Sequence, residues 1–190
     1  MSKQKLKLLI LLNLTWSVLG FFADFAWLNE VPIYLVPLTS ICSLYPPLLT
    51  IWYLLQYFNR KTPNWFTFWV ILGTASYGLM AQAYFPLLMS WKGINFHDVG
   101  SMFWVAVYGT QSILLFKHLK KLSFPQMLPG LIYIFTADAF HFFYPTFVDF
   151  ILPNYPTWLK MTTVTVAVLL QVSVATAVYL LNRNHRFVLN

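Results

Sequence analysis

Long apolar runs separated by short clusters of charged residues organise this chain. A polypeptide threaded repeatedly through a bilayer distributes its charges in this way. A helix needs about 20 mainly apolar residues to cross the hydrocarbon core. Six segments meet that requirement, at about residues 6–28, 40–58, 65–89, 99–116, 125–144 and 158–182. The second follows a Pro-rich approach containing Pro32 and Pro37. The pattern therefore predicts an all-α integral membrane protein, a single domain over residues 1–190 built as a bundle of six transmembrane helices.

Composition sharpens this. The chain is 59% hydrophobic and 9% charged, far below the roughly 25% charged residues of a soluble domain. A water-soluble fold could not cover its surface with so few polar groups. The net charge of +7 would suggest nucleic acid in a soluble protein, but the position of the positive residues explains it otherwise. Lys3, Lys5, Lys7, Arg60, Lys61, Lys117, Lys120, Lys121, Arg183 and Arg186 fall on the side of the N-terminus, and only Lys92 and Lys160 fall on the other. That asymmetry predicts both termini in the cytoplasm and a lipid bilayer, with no nucleic acid, as the surrounding partner. The acids agree with it, because Asp24, Glu30, Asp98 and Asp149 lie on the outer side and Asp138 lies within the fifth segment. Trp27, Trp65, Trp91 and Trp158 stand at segment ends, where indole anchors at the interface.

No small-x-small cleavage pattern follows the first apolar run, so it is expected to stay as an uncleaved helix. The single cysteine, Cys42, excludes an internal disulfide and a multi-cysteine zinc site. Pro46, Pro47, Pro86 and Pro129 interrupt the predicted helices and bend them. There is no Gly-rich phosphate loop, nucleophile elbow or His-Glu-x-x-His motif, and no internal repeat.

The ionisable residues within the apolar segments are the informative ones. Asp138 and His141 lie three apart on one helical face, in the outer half of the fifth segment. A carboxylate at mid-helix costs about 2.5–3.5 kcal/mol on insertion scales, so it is expected to face a cavity or a partner. His97 and Asp98 begin the fourth segment, and Asp24 sits near the outer end of the first. Asp138, His141, His97, Asp98 and Asp24 are thus the candidate ligand-binding residues. His97, Asp98, Asp138 and His141 have the chemistry of a Mn, Fe or Zn site. The same groups suit a polar solute, a cation or a proton path. Against these stand Asp98 as a helix N-cap, Asp24 among headgroups, and Asp138 paired with His141 alone. Tyr77 and Tyr84, Tyr108 and Gln111, and Gln171 near the middle of the sixth segment read as interhelical hydrogen-bonding groups. A haem finds no suitably placed axial pair among His97, His141, His118 and His185.

The region Gly20-Phe21-Phe22, Val31-Pro32 and Val36-Pro37 leading to Ser43-Leu44-Tyr45, then Tyr77-Gly78, Met102, and Asp138 followed by Pro145, resembles the YpjA-like family of bacterial membrane proteins. The likeness covers about residues 14–182. It departs at Pro37-Leu38-Thr39-Ser40, where that family has an acid, at His141, where it has a second Asp, and at Asp98-Val99, where it has a Ser-His pair. The resemblance implies a divergent member in a bacterial plasma membrane. It also implies a respiratory partner, because genes of that family neighbour those of a menaquinol:cytochrome c oxidoreductase, but no established activity.

The expected function is non-enzymatic: binding or moving a small solute or ion through an outward-facing polar pocket around Asp138 and His141. An accessory subunit of a quinol-oxidising complex and an intramembrane metal-dependent enzyme are the alternatives. No cofactor is assigned.

Overall fold

The computed structural model describes residues 1–28, 32–39, 41–143 and 156–183. All regular structure among them is helical. Helix α1 (Lys3–Leu28) is followed by the single turn α2 (Val36–Thr39), then α3 (Ile41–Tyr57) and α4 (Asn64–Lys92). Helices α5 (Phe96–Thr110) and α6 (Ser112–Phe116) come next, then α7 (Phe124–Phe143) and α8 (Thr157–Arg183).

These bounds follow local chemistry. Gly93, at φ 90°, ends α4 three residues later than the apolar pattern suggested, and its N–H caps the Met89 carbonyl at 2.9 Å. The fourth predicted segment begins earlier, at Phe96, because the Asn95 side chain accepts the Asp98 backbone N–H at 2.8 Å. Asn95, and not Asp98, is therefore the N-cap. That segment is also not one helix, since a turn at Gln111 divides it into α5 and α6.

Three stretches are long and apolar enough to cross a membrane: Lys3–Phe22, Asp98–Phe116 and Thr157–Arg183. They are also open to the surroundings, with Leu8, Phe22 and Leu169 each more than 60% exposed. Apolar surface on this scale exceeds what a soluble monomer leaves in water and fits a membrane protein. The other long helices depart from that pattern for structural reasons. Helix α3 has 17 residues, and α7 carries Pro129, Asp138 and His141. Helix α4 packs against α3, α5, α6, α7 and α8. Buried around its circumference, it carries Thr67, Thr74, Ser76 and Tyr77, which find partners inside the protein.

Small residues set how closely α4 is approached. A Cβ placed on Gly78 would lie 2.6 Å from Gly109 Cα, so α4 and α5 touch backbone to backbone there. A Cβ on Gly130 would lie 3.2 Å from Trp69 Cα, so α7 also comes close, though less so than α5. Gly73 leaves the space that the Tyr45 ring fills from α3. Helix α1 lies along α3 and is tied to the α5–α6 turn by a buried reciprocal amide pair. Asn13 Nδ2 donates to Gln111 Oε1 at 2.9 Å, and Trp16 stacks on Trp104 with ring centroids 4.5 Å apart.

One end of the assembly gathers α1's start, the α3–α4 and α6–α7 connections and the end of α8. Asn64 Nδ2 donates to the Lys121 carbonyl at 3.1 Å, Asn182 Oδ1 accepts from Leu122 N–H at 2.6 Å, and Lys3 Nζ lies 5.7 Å from the centre of the Tyr57 ring. At the other end Lys92 pairs with Asp98 at 3.0 Å, and Lys160 Nζ lies 5.6 Å from the centre of the Phe143 ring.

Candidate functional site: a buried carboxylate where three helices meet

Helix α7 presents Met127, Gly130, Ile134, Ala137, Asp138 and Phe142 on its buried face. Asp138 shares that face because it lies eight residues, or about 12 Å, beyond Gly130. Helices α4 and α7 run in the same direction and in register. Gly130 meets Trp69, and Asp138 meets Tyr77, at the same sequence offset of 61. Close contact at the glycine thus sets the tyrosine hydroxyl on the carboxylate.

Helix α8 completes the junction. Its buried face reads Leu159, Thr163, Ala167, Gln171, Ala175 and Val178. The two alanines flank Gln171 and let the helix come close enough for its amide to reach across. Gln171 Nε2 donates to Asp138 Oδ2 at 2.5 Å, and the Tyr77 hydroxyl donates to Asp138 Oδ1. Tyr45 packs on Tyr77, with ring centroids 5.6 Å apart. Asp138 is 4% exposed and Gln171 is fully enclosed.

Two features of this junction are chemically unbalanced. Both donors to Asp138 are neutral, and its carboxylate has no cationic partner, since Lys92–Asp98 is the one ion pair among the described residues. Gln171 Oε1 is buried with no hydrogen-bond partner. An anionic oxygen pair and an orphaned carbonyl oxygen therefore sit side by side away from water. Isolated buried charge of this kind is neutralised by a proton or paired with a cation.

The other candidates are distributed differently. Asp98 is 3% exposed and is held at the turn between α4 and α5 by Lys92 and by Asn95 Nδ2, which donates at 2.5 Å. Asp98 and Asp138 contact α4 at Lys92 and Tyr77, 15 residues or about 22 Å apart along the helix. Metal–ligand bonds of about 2 Å cannot join carboxylates anchored so far apart. Among the described residues no three His, Cys, Asp or Glu side chains gather where they could hold a metal ion. His141 is half-buried, and its ring meets the edge of Phe142 at 4.8 Å. The side chains of Asp24 and His97, like Glu30 and Asp149, lie outside the described residues.

Tyr77 and Gln171, the two partners of Asp138, are near the middle of helices of 29 and 27 residues. The junction accordingly lies deeper than the position of Asp138 within its own segment suggested. A signal for Gln171 was present in the sequence: Thr163, Ala167, Gln171 and Ala175 recur every four residues, forming a stripe of small and polar side chains on an otherwise bulky helix.

The chain matches no protein-family model, no curated protein and no solved structure. The likeness to the YpjA-like family rests on its short motifs alone.

Proposed function

We propose that this protein is a six-helix membrane protein that binds or moves a small cation or protons through the Asp138–Tyr77–Gln171 junction. The observation that carries this reading is a carboxylate, 4% exposed, held by two neutral donors beside an orphaned amide oxygen. A small cation would gain the carboxylate and Gln171 Oε1 as oxygen ligands, and a proton would remove the buried charge outright. The tight enclosure favours such a species over a bulky solute. In this reading α1, α3, α4, α5 with α6, α7 and α8 each cross the bilayer. The end bearing Lys3, Arg60, Lys120 and Arg183 is cytoplasmic, supported by the excess of Lys and Arg there.

Infrared difference spectroscopy of the full chain in nanodiscs tests the site. Steps in pH, and addition of Na+, K+ or Li+, are expected to change a protonated-carboxyl C=O band that disappears in Asp138→Asn. A spectrum insensitive to both, or a band that persists in the variant, refutes the reading. Topology is tested separately in a Cys42→Ala background. Lys120→Cys is expected to resist, and Asn95→Cys to accept, a membrane-impermeant thiol reagent added outside intact cells.

A further inference from the structure

The end of the molecule that carries the positive charge holds a second feature that the buried carboxylate does not explain. A cavity of about 160 Å³ opens there between the start of α1, the end of α3 and the α6–α7 connection, far more than the volume one water requires. Lys3, Gln56, Tyr57, Asn59 and His118 supply its polar lining. Its position is fixed by packing: the His118 ring meets Trp52 at 5.1 Å, and Trp52 is in turn held through Nε1 to Thr67 Oγ1 at 3.1 Å. Asn59 turns the chain at the end of α3 with φ 54°, a left-handed conformation that asparagine tolerates better than most residues.

Among the described residues the cavity's charge has no counterweight. Arg60 and Lys61 follow Asn59, Lys117 precedes His118, and Lys5 and Lys7 follow Lys3. Among the described residues no carboxylate lies at this end. Asp98 and Asp138 are engaged elsewhere, and Asp24 is 21 residues, about 31 Å, along α1 from Lys3. Lys3, an exposed residue, carries its ammonium over the Tyr57 ring at the mouth of the cavity. Burial, with a smaller contribution from the nearby terminal ammonium, lowers the pKa of His118 from its ordinary value. At neutral pH its imidazole is therefore a neutral group with one N–H to give. The Lys3 ammonium with the terminal ammonium close by, a ring of neutral donors and no acid among the described residues make a site for an anion with several oxygen acceptors.

We propose that this cavity binds a phosphate group, carried by an anionic phospholipid headgroup or as free inorganic phosphate. Lys3 supplies the charge, and His118, Asn59 and Tyr57 supply hydrogen bonds to the phosphate oxygens. The neighbouring basic residues raise the local concentration of either anion. The proposal stands on this cavity alone and is independent of Asp138.

Native mass spectrometry of the full chain, released from nanodiscs containing phosphatidylglycerol and phosphatidylcholine, tests it. Wild-type protein is expected to retain phosphatidylglycerol over phosphatidylcholine. Lys3→Ala is expected to lower that preference about fivefold, and His118→Asn to lower it without loss of the folded species. Lys7→Ala, which removes an exposed charge outside the cavity lining, is expected to leave it unchanged. Thermal unfolding in detergent with millimolar inorganic phosphate, against equal chloride, separates the two sources. A phosphate shift lost in Lys3→Ala, without lipid preference, assigns the site to free phosphate. Equal losses in Lys3→Ala and Lys7→Ala, or no response of wild type to either anion, overturn the proposal.

Discussion

Substitution of Asp138 can separate the cost of its charge from the value of its hydrogen bonds. In Asp138→Asn the shape is kept and the Tyr77 hydroxyl still finds an oxygen acceptor. The new NH2 meets Gln171 Nε2, donor against donor, across what is now a 2.5 Å contact. A half-turn of the Gln171 amide removes the conflict and brings Oε1, at present without a partner, onto the new donor. Asp138→Leu is also uncharged, but it strands the Tyr77 hydroxyl and the Gln171 amide together. Each stranded buried group costs about 1–3 kcal/mol in soluble proteins, and interhelical hydrogen bonds in membranes average about 0.6 kcal/mol. Both variants escape the ~2.5–3.5 kcal/mol cost of a carboxylate at mid-helix, so that contribution cancels between them. Two stranded groups then make Asp138→Asn more stable than Asp138→Leu by about 2 kcal/mol. Reversible unfolding in mixed micelles by SDS titration, followed by tryptophan fluorescence, measures the difference. A leucine variant as stable as the asparagine variant, or more so, refutes the hydrogen-bonded junction.

Other perturbations test the packing and the ends of the bundle. Gly78→Ala forces a methyl against the Gly109 backbone and is expected to cost about 1–3 kcal/mol, whereas Gly100→Ala meets nothing within 4 Å and is expected to stabilise by up to about 1 kcal/mol; SDS titration reads both. Asn95→Ala removes the N-cap of α5 and a donor to Asp98, and a loss of about 1 kcal/mol in the same titration checks it. Because His118 holds its proton less tightly folded than unfolded, its contribution to stability is complete above about pH 6.5 and declines as pH falls through its lowered folded value. His118→Gln is expected to flatten that acid-side slope in unfolding curves measured without added phosphate.

Much of the helical layout was legible because a bilayer imposes its demands locally. Apolar length, interrupting prolines and clusters of Lys and Arg are properties of contiguous residues. They anticipated helices at residues 41–57, 64–92, 124–143 and 157–183 within a few positions. The break at Gln111 was not anticipated, because both α5 and α6 are apolar and the turn is held by Asn13 of a distant helix. The N-cap was displaced from Asp98 to Asn95 because capping depends on where the chain enters the helix, which Gly93 and the turn after α4 decide.

The candidate site divides in the same way. Sequence alone marked Asp138 as an acid that must face a cavity or a partner, and it marked Tyr77 and Gln171 as polar groups needing interhelical partners. It could not join the three, and it placed Asp98 beside Asp138 because both fall toward the outer side of their own segments. What decided the matter was the relative sliding of helices, set where Gly130 meets Trp69 and where Ala167 and Ala175 let α8 approach. Hydropathy fixes that a residue lies inside the membrane to within a turn or two. Only backbone contacts between helices far apart in the chain fix which residues meet at one depth, and an uncharged tyrosine and glutamine became the partners of a lone carboxylate on that account.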